Sequence, residues 1–222
     1  MGNTASTKEV KKTTISDIGT YVFVTIVFAV LGYFIIRCCF LDNVTPFVSE
    51  YDGKNYAVRK VGDISTKQTA ANYLSLINSK INTLVDYMNK HNLPDPDTAK
   101  RLYSRWSKCE LKETNSNERS AAYTLNKSTE IRLCIRDSSG NFEDPNTSMF
   151  VILHELGHVM SISYGHGDEF KNHFSYITQL ASNLGIYKPQ DFYDHPKTYC
   201  GIQINTSPCT AESCAYNTIK LT

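Results

Sequence analysis

Phe150-Val151-Ile152-Leu153-His154-Glu155-Leu156-Gly157-His158-Val159-Met160 is the stretch on which the reading of this chain turns. On a helix, residues four apart share a face, so His154 and His158 can offer two imidazoles to one metal ion. Glu155 projects elsewhere on the same turn, where its carboxylate can take a proton from a water on that ion. Two histidine ligands, a carboxylate base and a third ligand still to be found are the parts of a zinc peptidase. So short a pattern arises by chance, and its flanks therefore carry weight. Asp144-Pro145 makes an N-cap and first-turn pair, and Phe150 to Met160 is apolar on nearly every face except at the motif residues. Two histidines and a glutamate on a buried helix need partners.

The 222 residues allow one domain, or one domain plus an anchor. With 23 basic against 22 acidic residues, no global field steers the chain towards nucleic acid, which is not expected as a partner. The 7 cysteines are scattered without a Cys-x-x-Cys pair, so a structural zinc ribbon is not expected either.

Working outward, Met1-Gly2-Asn3-Thr4-Ala5-Ser6 fits the N-myristoylation pattern, with Gly2 as the acylated residue. Ile18 to Ile36 then holds no charged side chain. At ~1.5 Å per residue that stretch is about 28 Å long, close to the hydrocarbon thickness of a bilayer. Arg37-Cys38-Cys39-Phe40 is not a small-residue cleavage site, so the segment reads as a retained transmembrane helix rather than a signal peptide. Cys38 and Cys39 are candidates for palmitoylation. The organisation expected is a cytosolic segment 1–17, a transmembrane helix 18–40, a linker 41–65 and a domain 66–222. Lys8, Lys11 and Lys12 favour a cytosolic N-terminus of a single-pass protein, which puts the domain in a lumen or outside. Sequons at Asn43, Asn126, Asn146 and Asn205 fit a glycosylating compartment.

Thr66 to Lys90 is helical by its spacing of Tyr73, Ile77, Ile81, Leu84 and Met88. Pro94 and Pro96 end it, and Asp97 is a candidate cap for a further helix reaching about Cys109. Ala122 to Asn126 and Glu130 to Arg136 alternate as two strands, the second being the expected edge strand that takes a substrate backbone. After the motif helix, Ser161 to Gly167 reads as a loop carrying His166. Asp168 caps a helix whose stripe is Phe170, Phe174, Ile177, Ala181 and Leu184. The tail from Ile186 shows no regular period.

Four side chains near that second helix are candidates for the third ligand: His166, Asp168, Glu169 and His173. His166 is the first choice, because its Gly165 and Gly167 neighbours let the backbone swing the ring. Asp168 is the residue type that caps helices, and Glu169 points off the apolar stripe.

The run Ile131-Arg132-Leu133-Cys134-Ile135-Arg136, then His154-Glu155-Leu156-Gly157-His158, then Gly165-His166-Gly167-Asp168-Glu169-Phe170, resembles the WLM and SprT-like metallopeptidases over roughly Thr66 to Tyr187. The spacing of His158 and His166 is nearer the WLM form, the wording around His166 nearer the SprT form. The resemblance implies an α+β, zincin-like domain with a small antiparallel sheet packed on the motif helix. It also implies Zn2+ held by His154, His158 and His166, with Glu155 as general base on a peptide or protein substrate. Tyr164, Tyr187, Tyr193 and Tyr199 are possible second donors to the oxyanion. Combined with the anchor, these features would suit a virion membrane protein of a large DNA virus. The alternative is a non-catalytic protein stapled by zinc that acts in binding or assembly at a membrane or virion envelope. In an oxidising space, Cys109, Cys134, Cys200, Cys209 and Cys214 would form two bridges and leave one thiol, with at least one bridge among the last three and Cys134 an ordinary buried thiol.

Overall fold

The computed structural model describes residues 15–40, 43–115, 120–126 and 129–208. The chain forms two units, 1–42 and 43–222. In the first, helix α1 runs Ile15–Phe40. Its described side chains, from Gly19 to Phe34, include exposed Phe23, Ile26, Phe28, Leu31 and Phe34. Among the described residues, which hold the side chains of α1 from Gly19 to Phe34 only, no helix is long and apolar enough to cross a membrane. Gly2, Lys8, Lys11 and Lys12, and the side chains of Cys38 and Cys39, lie outside the described residues.

In the second unit, strands β1 (Val44–Val48) and β2 (Asn55–Arg59) form a hairpin followed by α2 (Ile64–His91) and α3 (Pro96–Trp106). Strands β3 (Glu110–Glu113), β4 (Ala122–Leu125) and β5 (Glu130–Leu133) come next, then α4 (Pro145–Met160) and α5 (Asp168–Asn183). The strands make one sheet in the order β1-β2-β3-β5-β4. It is mixed, not antiparallel: β2 pairs parallel with β3 and β3 parallel with β5, while the outer pairs are antiparallel. The reason is connectivity, since α2 and α3 carry the chain back across the sheet between β2 and β3, as a parallel pair requires.

Residues 41–65 are therefore not a simple linker, because β1 and β2 belong to the sheet and the folded unit begins at Asn43. Strand β3 gave no signal because its sequence, Glu-Leu-Lys-Glu, is polar. Its Glu113 is fully buried, bound by Arg136 Nε and Nη2 at 2.7 Å each and by the Arg59 backbone N–H at 2.7 Å. Burying that carboxylate costs little only because two guanidinium groups face it.

Asp63, Asp95 and Asp144 cap α2, α3 and α4 by accepting from the N–H three residues on. The cap of α3 is thus Asp95 rather than Asp97, and α5 starts from Gly167 with no side-chain cap, leaving Asp168 at its first position. Leu74, Ile77, Ile81, Leu84 and Met88 of α2 join Ile131 and Leu133 of β5 and Ile152, Leu153 and Leu156 of α4 in one core.

The tail is ordered by a hairpin of β6 (Lys197–Tyr199) and β7 (Ile202–Ile204). Tyr199 is fully buried, and its hydroxyl donates to the Cys134 carbonyl and shares a second hydrogen bond with Ser148 Oγ. A disulfide joins Cys134 to Cys200 across 66 positions. Cys134 is therefore not a lone thiol. The tertiary fold brings the residue after β5 against the β6–β7 turn, a proximity that sequence distance conceals. Cys109 is free, and Cys209 and Cys214 lie outside the described residues.

Candidate metal centre

Helix α4 presents its functional face because both of its ends are held. Asp144 caps the start. At the other end Arg101 Nε donates to the Met160 carbonyl at 2.7 Å and Arg105 Nη1 to that of Ser161 at 3.0 Å, satisfying carbonyls that have no partner within the helix. Within α4, Gly157 lies against α5. A Cβ there would meet Phe170 Cε2 at 3.0 Å and Phe174 Cβ at 3.2 Å, so the glycine permits the close approach of the two helices. Phe170 then sits beneath the imidazoles, with ring centroids 4.8, 4.2 and 4.7 Å from those of His154, His158 and His166.

His166 reaches the other two histidines from the loop before α5. Gly165 turns the chain at φ +83°, and Glu169 clamps the loop by accepting from Ile162 N at 2.7 Å and Ser163 N at 2.9 Å. Those hydrogen bonds hold the Glu169 carboxyl down at about 2. The Nε2 atom of His166 lies 3.2 Å from that of His158 and 3.1 Å from that of His154. Two nitrogens bound tetrahedrally to zinc at ~2.0–2.1 Å are about 3.3–3.4 Å apart, so the three rings already sit near the vertices a single ion requires. Among the described residues this is the group that could hold a metal, its ligand atoms all within 4.8 Å of one another. Burial, then the neighbouring His158 and His166, lowers the His154 pKa to about 4, which keeps the ring neutral and its lone pair available.

Of the other ligand candidates, none joins the cluster. Asp168 is exposed beside Lys171, Glu169 is the loop clamp, and His173 Nδ1 contacts Ser161 Oγ at 3.0 Å.

Glu155 is buried, and its Oε2 accepts from Thr124 Oγ1 at 2.6 Å. Burial raises its pKa, while the Thr124 bond works the other way. A cleft of about 460 Å³ opens over Thr124, Tyr123, Glu155, Tyr164 and the three histidines. A neighbouring hollow of about 370 Å³ has His154 and Glu155 on one side and Ile202 to Thr206 on the other. Of the four tyrosines considered, Tyr164 lines the cleft and is 85% exposed, whereas Tyr187 and Tyr199 are buried and Tyr193 is not among the cleft's lining residues.

Strand β5 is not the edge strand, since it lies between β3 and β4. The edge is β4. The Ala121 carbonyl accepts from Cys134 N at 2.8 Å, in register with the β4–β5 ladder, while the Leu125 carbonyl accepts from Thr129 N at 3.2 Å in the turn before β5. The alternation of an antiparallel ladder therefore points the backbone groups of Ala122 and Thr124 outward, into the cleft. Thr124 and Tyr123 carry no signal of this role in the sequence. A threonine in a short strand looks the same whether or not a glutamate lies opposite.

An α+β domain gathering three imidazoles and a buried carboxylate in one open cleft is the class defined by this fold and site. The chain belongs to the same family as uncharacterized protein R325 of Acanthamoeba polyphaga mimivirus, with 31% identity over 196 residues, covering 84% of this chain and 96% of that protein. It is also similar to uncharacterized protein 042R of Invertebrate iridescent virus 3 (42% over 82 residues, 36% of this chain and 50% of that one). Uncharacterized protein 136R of Invertebrate iridescent virus 6 is 34% identical over 93 residues, 40% of this chain and 51% of that one. No family model matches the chain. Among solved structures it is similar to Wss1 from Saccharomyces cerevisiae, with a TM-score of 0.42 and 22% identity over 58% of this chain and 89% of that one.

Proposed function

We propose that the protein is a zinc peptidase anchored in a membrane by α1. The observation that carries the catalytic part is the convergence of the His154, His158 and His166 Nε2 atoms beside Glu155. Three imidazoles suit zinc, which when bound would polarise a substrate carbonyl and acidify a water to a pKa of about 7. Glu155 takes the proton of the attacking water and returns it to the leaving amine. Burial raises its pKa, which strengthens it as a base for that water. The outward backbone groups of Ala122 and Thr124 receive an extended peptide by strand addition. Tyr164, which lines the cleft, is the proposed donor to the oxyanion.

A zinc-stapled, non-catalytic protein is the second reading, and the buried base argues against it, since a structural site has no use for one. Zinc content and peptide cleavage separate the two. The full chain is expected to hold about one zinc, lost in His154→Ala, while Glu155→Gln keeps the zinc and loses cleavage. Zinc binding without cleavage by the parent leaves the staple; no zinc at all ends both readings.

The anchor reading rests on the uncharged stretch Ile18 to Ile36 and the exposed apolar side chains of α1. Full-length protein should stay with membranes through a carbonate wash, and recovery in the soluble fraction defeats the anchor. Acylation at Gly2 would add to the membrane hold without replacing it, because one acyl chain binds only marginally. Gly2→Ala should therefore abolish myristate labelling and leave the protein in the membrane pellet. The Cys134–Cys200 bridge supports a luminal or external body, as in a virion membrane. Asn146 is a poor glycan acceptor there, since its amide donates to and accepts from the Lys188 backbone at 2.8 Å each.

A further inference from the structure

Thr124 stands between the strand that faces the cleft and the carboxylate beside the metal centre. Its hydroxyl donates to Glu155 Oε2 at 2.6 Å, and among the described residues it is the hydrogen-bond partner of that carboxylate. An ionised carboxylate only accepts, so the hydroxyl must be the donor. Glu155 lines the open cleft, and with Oε2 held in this way Oε1 is the oxygen left without a hydrogen-bond partner among the described residues. A glutamate has three rotatable side-chain bonds, and without a fixed contact its carboxylate would sample several orientations on the helix.

Threonine is suited to fixing it. Its β-branched side chain has few χ1 choices, so the position of Oγ1 follows from the backbone of β4. That backbone is set on one side by pairing with β5, where Thr124 faces Ile131. On its other side the N–H and C=O of Thr124 point into the cleft, as the in-register hydrogen bond of Cys134 to Ala121 and the alternation of the ladder require. One residue thus meets an incoming peptide with its backbone and Glu155 with its side chain.

We propose that Thr124 is a positioning residue that holds Glu155 oriented for proton transfer and couples that orientation to the strand receiving the substrate. The inference rests on the peptidase reading and goes beyond it, because it makes β4 part of the catalytic arrangement as well as a binding edge. A hydroxyl that served only the stability of the domain would leave turnover intact once the chain had folded and loaded zinc.

The test uses the full chain in detergent, loaded with zinc, and the most rapidly cleaved member of an internally quenched peptide library. Thr124→Val keeps the shape and strand preference and removes only the hydroxyl. It is expected to lower kcat by roughly 10- to 100-fold, the range for a misplaced general base, with KM within about threefold of the parent and equal zinc. Thr124→Ser restores the donor and should recover kcat to within about threefold. Should Thr124→Val fail to fold, Thr124→Ala against Thr124→Ser gives the same comparison. Parental kcat without the hydroxyl, a loss confined to KM, or equal loss in the serine variant overturns this inference while peptide cleavage by the parent stands. Absence of cleavage by the zinc-loaded parent overturns the peptidase reading itself, and this inference with it.

Discussion

The Phe170 ring stacks on the His158 imidazole with centroids 4.2 Å apart and planes inclined by 25°. Phe170 is almost fully buried and lies also against Gly157, so one aromatic side chain couples the packing of α4 on α5 to the aim of the three histidines. Gly157→Ala should therefore act against propensity. Alanine ordinarily favours a helix interior by ~1 kcal/mol over glycine, but here its Cβ would press on Phe170. The expected net loss of stability is about 1–2 kcal/mol, with weaker zinc binding. Calorimetric unfolding with and without chelator reads both, and a variant more stable than the parent with unchanged zinc affinity contradicts the packing argument.

Reducing the Cys134–Cys200 bridge removes a constraint on a long loop. For a separation of 66 residues the chain-entropy model gives about 4 kcal/mol as an upper figure. Cys134→Ser and Cys200→Ser should lose similar stability, and the double variant no more than either alone. Denaturant midpoints measure this. The hairpin keeps the buried Tyr199 and its hydrogen bonds, so the fold is expected to survive with a looser cleft wall at Ile202 to Thr206.

Glu169 gives the loop of His166 a pH dependence of definite sign. Its folded pKa is depressed from 4.5 to about 2 by the backbone of Ile162, then by the Ser163 side chain and backbone. A depressed carboxyl contributes stability that is present above about pH 4.5 and is lost as the pH falls towards about 2. Other carboxylates titrate in the same window, so the measurable quantity is the difference between the parent and Glu169→Gln. In metal-free chains the two melting curves should differ above that window and converge at its acid end. A constant difference across the window refutes the linkage.

Ala122→Pro probes the edge strand. Proline removes an N–H that faces the cleft and leaves the in-register hydrogen bond of Cys134 to Ala121, the one setting in which a strand tolerates it. Loss of a single backbone hydrogen bond to a peptide is worth about 1 kcal/mol, or roughly a fivefold rise in KM. Unchanged KM means that the substrate does not pair at Ala122.

Much of the candidate metal centre is legible from residue spacing, because its signals are local. His154 and His158 share a helical face by their separation alone, and Asp144 and Pro145 announce where that helix begins. His166 follows from two flanking glycines and the helix that comes after it. The stripe of Tyr73, Ile77, Ile81, Leu84 and Met88 marks α2 for the same reason: one face of a helix repeats every three to four residues.

What the tertiary structure alone decided lies between elements distant in sequence. Strand β3 reads as polar because its Glu113 is balanced by Arg59 and Arg136, which arrive from other elements. The identity of the edge strand depended on sheet order, and alternation within β4 and β5 is the same whichever of them lies outside. Cys134 and Cys200 met only because Tyr199 is buried beneath the end of β5. Thr124 acquired its role by the same route, since β4 had to be laid beside α4 before a threonine could find a glutamate. Periodicity and capping are written over a few residues and survive in the sequence; pairing, burial of charge and strand order are set when the chain folds back on itself.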